Sequence, residues 1–227
     1  GLAISRERGD KRGESLHLLN IGNVSLVLGE FDLAAEFFEQ SLDIARESGY
    51  KLEESNALSG IGCVYEGMLL LEHALEYFQN ALTINRELHD RYGEEIDLNN
   101  MGNVYFKLGQ YDNAIDCYKQ ALTIDDELGD QLGQAQDLMG LGAIHYALDD
   151  FDRSLELYKQ ALTVFRRLGR RRDEAIILQN MSLDLDKLDR RGEAITHATA
   201  ALEILEQIDD NDAAGMRKQL AQWHQVP

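Results

Sequence analysis

The sequence predicts an all-α fold, an α-solenoid of antiparallel helical hairpins, from three observations. Proline occurs once in 227 residues. Apolar residues recur with a helical period, and no alternating run bounded by turns offers a strand. An internal repeat of 40 residues is marked by one column of small residues, namely Gly22, Gly62, Gly102, Gly142 and Ser182. A fixed period of this kind indicates hairpins that stack and cover each other's apolar faces.

The repeated glycine indicates close contact between helices. Gly102 stands inside a predicted helix, where glycine costs about 1 kcal/mol relative to alanine. Small residues also fill two columns of the second helices, at Ala34, Ala74, Ala114, Ser154 and Ala194 and at Ser41, Ala81, Ala121, Ala161 and Ala201. Only small side chains let two helix axes approach more closely than the usual 8–10 Å or so. We therefore predict that Gly102 packs tightly against the second helix of its own hairpin.

The elements follow in order along the chain. Residues 1–10 align with the end of a second helix, so we expect the chain to begin inside an earlier unit. Hairpins are predicted over residues 11–50, 51–90, 91–130, 131–170 and 171–209, the fifth being degenerate. Within each hairpin an N-cap residue such as Asp90 begins the first helix, and a glycine such as Gly129 ends the second.

The C-terminal segment, residues 210–227, is predicted to be a capping helix. Asp210 to Val226 reads as one helix with Met216, Leu220 and Trp223 on one face. A stack needs its last apolar face covered. We expect this segment to cap the array, with the start of a sixth unit as the alternative.

Each unit resembles the tetratricopeptide repeat (TPR). The residues that carry the resemblance in the third unit are Leu98, Met101, Gly102, Tyr105, Ala114, Tyr118 and Ala121. The common form has about 34 residues and closes with a proline that is missing here. Units of 40 residues are similar to those of Partner of Inscuteable, kinesin light chain relatives and bacterial regulatory arrays. The resemblance covers nearly the whole chain. It implies a right-handed α-solenoid that serves as a protein-interaction scaffold.

The resemblance also implies that the first helices line a concave groove. Its predicted residues are Leu16, Leu19, Asn20, Asn23, Leu26, Val27, Ile96, Asn99, Asn100, Asn103, Phe106, Lys107, Met139, Tyr146 and Asn180. An asparagine amide offers both a donor and an acceptor, which suits the backbone of a bound peptide. The alternative is that these amides bond only neighbouring helices. Gly60 and Gly140 are interpreted as gaps that could admit partner side chains.

One recognition mode of the superfamily is not expected in this chain. Some TPR arrays clamp a C-terminal carboxylate with lysine and arginine. The matching positions hold Leu19, Gly60, Ile96 and Asn100. A carboxylate would find no charge partner there.

The formal net charge of −19 disfavours nucleic-acid binding, because phosphate contacts need clustered basic residues. The acidic balance is strongest from Arg91 to Lys159, with fourteen acids against five bases. We expect a basic or amphipathic protein or peptide partner. No apolar run is long enough for a membrane span, and two cysteines in different units, Cys63 and Cys117, suit free thiols in the cytoplasm.

No constellation of residues indicates an enzyme, a metal site or a cofactor site. The six histidines show no ligand spacing with each other or with the cysteines. Besides a scaffold that binds a peptide or helix, two functions stay open. The chain could be the sensor region of a larger signalling protein, or it could self-associate through its first helix and the apolar run from Met68 to Leu71.

Overall fold

The computed structural model describes residues 1–225, with side chains up to residue 223. This part of the chain consists of α-helices joined by short turns and contains no strand. The helices are α1 Leu2–Arg8, α2 Lys11–Val27, α3 Phe31–Ser48, α4 Lys51–Gly67, α5 Leu71–Leu88, α6 Arg91–Lys107, α7 Tyr111–Leu128, α8 Gln131–Ala147, α9 Phe151–Arg167, α10 Arg171–Lys187, α11 Arg191–Gln207 and α12 Ala213–Gln225. The predicted all-α class is confirmed.

The helices form two compact units, Gly1–Ile124 and the chain from Asp125 onward. In the first unit α2 packs on α3, α3 on α4, α4 on α5 and α5 on α6, while α1 packs on α2. The first helices of successive hairpins, α2, α4 and α6, are also neighbours. Asp10 and Asp90 cap α2 and α6 by accepting hydrogen bonds from the backbone N–H groups of Gly13 and Gly93.

Close packing at the repeated glycine is confirmed. A Cβ built on Gly22 would lie 2.7 Å from Cε1 of Phe38, in the second helix of the same hairpin. A Cβ on Gly102 would lie 3.0 Å from the Tyr118 ring. Real Cβ atoms essentially never come as close to a neighbour as the Gly22 distance, and the Gly102 distance is tighter than most of their contacts. Glycine is therefore what lets the ring lie against the helix backbone.

In the second unit α8 packs on α9, α9 on α10, α10 on α11 and α11 on α12. The same seam recurs, since a Cβ on Gly142 would lie 2.6 Å from the Tyr158 ring. The core of the unit runs without a break from the α9 side chains to those of α12. The hairpins of the second unit therefore share one continuous apolar core, whereas the buried apolar residues of the first unit form two clusters.

Helix α12 begins at Ala213, three residues later than predicted. The delay has a local cause: the Asp210 carboxylate accepts a hydrogen bond from the backbone N–H of Asp212 and holds a turn there. Met216, Leu220 and Trp223 lie buried in the same core cluster as Leu205 of α11, so the predicted apolar face is confirmed. Val226, the predicted end of this helix, lies outside the described residues.

Candidate peptide-binding groove

Helix α2 presents both amide and apolar side chains to the surface. Asn20 and Asn23 are exposed. Neither makes a hydrogen bond to any residue that the structure describes. Leu16 and Val27 flank them, and Val27 is 87% exposed. This face offers free hydrogen-bonding groups beside apolar surface.

Two predicted groove residues of α2 are less exposed than this face. Leu19 is only 6% exposed and packs in a core cluster with Phe38 and Leu58, so it is unavailable to a partner. Leu26 is half-buried and packs against the same cluster. The helical position of Leu19 therefore points between hairpins and not out of the groove.

A cavity opens at the end of the α2 face nearest α1. Its volume is about 370 Å³. It is lined by Gly1, Leu2, His17, Asn20, Ile21 and Val24. The Asn20 amide thus lies in a recess that is mostly apolar.

On α6 the predicted asparagines contact neighbouring side chains of the array, unlike Asn20 and Asn23 on α2. The Tyr118 hydroxyl donates a 2.8 Å hydrogen bond to Oδ1 of Asn103. Nδ2 of Asn103 in turn donates to Oδ1 of Asn99 over 3.1 Å. Nδ2 of Asn100 lies 4.0 Å from the Cys63 sulfur of α4, which is the limit of a hydrogen bond to sulfur. For Asn103, the packing alternative describes the structure better than an amide held open for a peptide.

The remaining predicted residues of α6 are accessible to different degrees. Ile96 is exposed, and Phe106 is half-buried with its ring tilted against Tyr111 at 6.0 Å. Nζ of Lys107 donates a 2.9 Å hydrogen bond to the Glu66 carboxylate at the end of α4. This ion pair uses the only basic side chain among the predicted groove residues.

Gly60 is not a gap for a partner side chain. A Cβ built on it would lie 2.6 Å from Cε1 of Phe38, so the Phe38 ring already occupies that space. Phe38 lies between two glycines, Gly22 of its own hairpin and Gly60 of the next. The interpretation of Gly60 as an open gap is therefore wrong, whereas Gly140, which is half-buried, stays a prediction.

In the second unit, Met139, Tyr146 and Asn180 are half-buried. The Tyr146 ring meets Phe151 edge to face at 5.5 Å, across the turn between α8 and α9. Burial raises the pKa of the Tyr158 hydroxyl, and the nearby Asn180 amide opposes that shift. These side chains are thus anchored by neighbours in their own unit.

Behind the α4 and α6 surface lies a buried polar cluster. The Asp97 carboxylate accepts hydrogen bonds from Ser59 Oγ at 2.6 Å and from Asn85 Nδ2 at 2.8 Å. Asn85 accepts a bond from Ser55 at 2.6 Å. Burial raises the pKa of Asp97 to about 7, although the two hydrogen bonds oppose that shift. The cluster joins neighbouring hairpins.

Neither thiol is activated. Burial, together with the negative charges of Glu66 and Asp97, raises the pKa of Cys63 to about 12. Burial raises the pKa of Cys117 to about 11. Since the thiolate is the reactive form, both cysteines stay as thiols at neutral pH.

A repeated group of ion pairs in the array was not predicted from the sequence. In four hairpins a buried glutamate on the first helix is held by two basic side chains, one from the preceding second helix and one three residues earlier. These groups are Arg6–Glu14–Lys11, Arg46–Glu54–Lys51, Arg86–Glu94–Arg91 and Arg166–Glu174–Arg171. In the fourth hairpin Gln134 replaces the glutamate and bonds Asp126 at 2.5 Å. The columns recur every 40 residues, so the spacing alone could have revealed them.

The model of the tetratricopeptide repeat family matches the chain at residues 14–87, 67–127, 94–167 and 134–207. The chain belongs to the tetratricopeptide repeat family. No curated protein matches the sequence significantly. No helix of the described TPR array is both long and apolar enough to cross a membrane.

Solved structures share the fold of this TPR array at low sequence identity. BtubC (BKLC) from P. vanneervenii is 17% identical, with a TM-score of 0.79 over 91% of this chain and 86% of that one. The apo form of the quorum sensor NprR from B. thuringiensis is 17% identical, with a TM-score of 0.77 over 97% of this chain and 62% of that one. Aspartyl phosphate phosphatase F from Bacillus subtilis is 16% identical, with a TM-score of 0.72 over 94% of this chain and 60% of that one. The array thus spans about three fifths of the last two proteins.

Proposed function

We propose that this TPR array is a protein-interaction module that binds a peptide or helical segment of a partner on the faces of its first helices. The observation that carries the proposal is the α2 face, where the amides of Asn20 and Asn23 are exposed and make no bond to the described residues. An exposed amide beside apolar side chains offers both directional hydrogen bonds and apolar burial to a ligand.

The spacing on α2 suits an extended backbone. Side chains three residues apart on a helix are neighbours at about 5–6 Å. Same-side groups of an extended peptide recur about every 6.6 Å, twice the rise of about 3.3 Å per residue. Asn20 and Asn23 could therefore bond successive backbone groups on one side of a peptide, while Leu16 and Val27 bury its apolar side chains.

The test uses peptides selected from a displayed library against the purified chain, with affinities then measured for three proteins. Asn20→Ala/Asn23→Ala should weaken binding by about 5- to 150-fold, because it removes two bonds to the ligand that are each worth about 0.5–1.5 kcal/mol. Gln79→Ala/Asn80→Ala on the exposed face of α5 is the matched control and should bind like the wild type. Equal affinity of all three proteins for every selected peptide would reject the proposal.

A regulatory role is the second candidate. NprR is a quorum sensor, and this chain shares the fold of NprR over 62% of the NprR chain. A sensor region of this kind would pass the presence of its ligand on to another domain. Measuring the output of any effector domain encoded in the same gene, with and without the selected peptide, separates a sensor from a scaffold.

A further inference from the structure

The turn between α4 and α5 breaks a local rule that the corresponding turns obey. At this position the backbone is left-handed, with φ of 76° at Gly29, 60° at Leu69, 71° at Gly109 and 59° at both Asp149 and Asp189. Glycine and aspartate tolerate this backbone, whereas other side chains bring Cβ against the following carbonyl oxygen. Leu69 is 72% exposed, so burial does not compensate the strain.

The next residue is also unusual for its position. Leu70 stands at the N-cap of α5 and makes no capping hydrogen bond. Among the N-cap residues of the corresponding turns, Asp150 accepts a hydrogen bond from the backbone N–H of Arg153. Glu30 and Arg190 make no capping bond but are charged. Leucine is among the poorest N-cap residues. Conflicts between local preference and structure concentrate at functional sites, so two successive exposed leucines here indicate a function outside folding.

These leucines belong to a wider apolar surface. The turn patch consists of Leu28, Met68, Leu69 and Leu70, all of them exposed. The two turns are adjacent, because the Phe31 ring that follows the first turn lies against Gly67, which precedes the second. A contiguous exposed apolar surface of this kind marks an interaction site more often than scattered leucines do.

The rim of the turn patch is acidic. Glu30, Asp32, Glu66 and Glu72 flank the two turns, and residues 13–45 and 52–85 contain no lysine or arginine. The neighbouring Lys107 is engaged by Glu66 at 2.9 Å. An apolar centre within an acidic rim is complementary in charge to an amphipathic helix whose polar face is basic.

We propose that the turn patch docks a basic amphipathic helix of a partner protein, with the partner's apolar side chains on Leu28, Met68, Leu69 and Leu70 and its lysines or arginines on the acidic rim. This surface lies at the turns between helices and is separate from the α2 amides. It adds a second point of attachment to the array.

The test compares wild type with Leu69→Gly/Leu70→Glu, which reproduces Gly29 and Glu30 of the first turn. The probe is a helical peptide of leucine and lysine with its leucines on one face, and a peptide with glutamate in place of lysine is the control. The variant should bind the lysine peptide at least tenfold more weakly, although it carries one more negative charge. Its Tm should rise by about 2–4 °C because the strained residue is gone. Loss of binding in a more stable protein cannot be ascribed to unfolding.

The outcomes separate this site from the groove and from self-association. Asn20→Ala/Asn23→Ala should bind the lysine peptide like the wild type, and methyl NMR signals of Met68 and Leu69 should shift on titration. The proposal is overturned if no protein binds the lysine peptide, or if the glutamate peptide binds as tightly as the lysine peptide. It is equally overturned if Asn20→Ala/Asn23→Ala is the one variant that loses binding of the lysine peptide. It is also overturned if the turn patch is occupied by a second copy of the chain, seen as a dimer that the turn variant abolishes and the peptide leaves intact.

Discussion

The hydroxyl of Ser154 donates a 2.9 Å hydrogen bond to Oδ2 of Asp184, and both residues are fully buried. Each departs from its column in the repeat. Ser154 stands where the other hairpins have alanine, and Asp184 stands where Val64, Val104 and Ile144 fill the core. The second carboxylate oxygen of Asp184 is buried without a hydrogen-bond partner. Two polar exceptions thus meet inside the second unit.

The stability of the protein should therefore depend on pH through Asp184. Burial raises the pKa of Asp184 from 3.8 to about 7, so the folded state holds a proton that the unfolded chain releases. The contribution of this group is fully present below pH 3.8 and is lost as pH rises towards 7. Asp184→Asn should raise the Tm above that of the wild type at pH 8 and much less at pH 4.5. An equal gain at both pH values would contradict a titrating Asp184.

The glycine seam predicts a graded series of substitutions. Gly142→Ala should destabilise by about 1–3 kcal/mol, because its Cβ would lie 2.6 Å from the Tyr158 ring. Gly102→Ala should cost less, since the corresponding distance to Tyr118 is 3.0 Å. Gly192→Ala is the control: nothing lies within 4 Å, so its gain in helix propensity should stabilise by up to about 1 kcal/mol. Urea unfolding of the three variants measures the order, and a destabilised Gly192→Ala would undermine the packing argument.

Removing an arginine that pairs with a buried glutamate should cost more stability than removing one from an exposed ion pair. Burial alone would raise the pKa of Glu94, yet hydrogen bonds from Arg86 and Arg91 hold it below its ordinary value. Arg86→Ala removes one of these partners and should destabilise by about 1–3 kcal/mol. Arg153→Ala removes an exposed pair with Glu156 and should cost less than about 1 kcal/mol. Similar losses in the two variants would show that the Glu94 pair behaves like a surface pair.

The acidic charge predicts that partner association depends on salt. Long-range attraction to a basic partner is screened over about 8 Å at physiological ionic strength, whereas apolar burial is not weakened by salt. The association rate of a basic peptide should fall as salt rises, with dissociation nearly unchanged. Stopped-flow measurements at several salt concentrations provide the check. An association rate indifferent to salt would mean that the net charge of −19 does not steer the partner.

The repeat made most of the fold predictable from the sequence. The helical period of the apolar residues predicted the all-α class, and the glycine column predicted the contacts with Phe38 and Tyr118. The spacing of Met216, Leu220 and Trp223 predicted the buried face of α12. Each of these features depends on a periodic arrangement of side-chain size, which a single sequence displays directly.

The groove was less predictable because it depends on which neighbour uses each side chain. Asn23 and Asn103 occupy the same position of the repeat, yet Asn23 is exposed and Asn103 bonds Tyr118. The difference comes from the second helix, where Phe38 replaces Tyr118 and has no hydroxyl to donate. The prediction that Gly60 leaves an open gap was wrong for a related reason, since the direction of the Phe38 ring is set by packing between hairpins.

The side-chain amide NMR signals of Asn20 and Asn23 test the central claim most directly. During titration of the isotope-labelled chain with a selected peptide, we expect the Nδ2 signals of both residues to shift and saturate together, because these amides are free to bond a ligand. The Asn103 signal should move far less, since Tyr118 and Asn99 already engage that amide. Saturation of binding with unmoved Asn20 and Asn23 signals would contradict the proposed site.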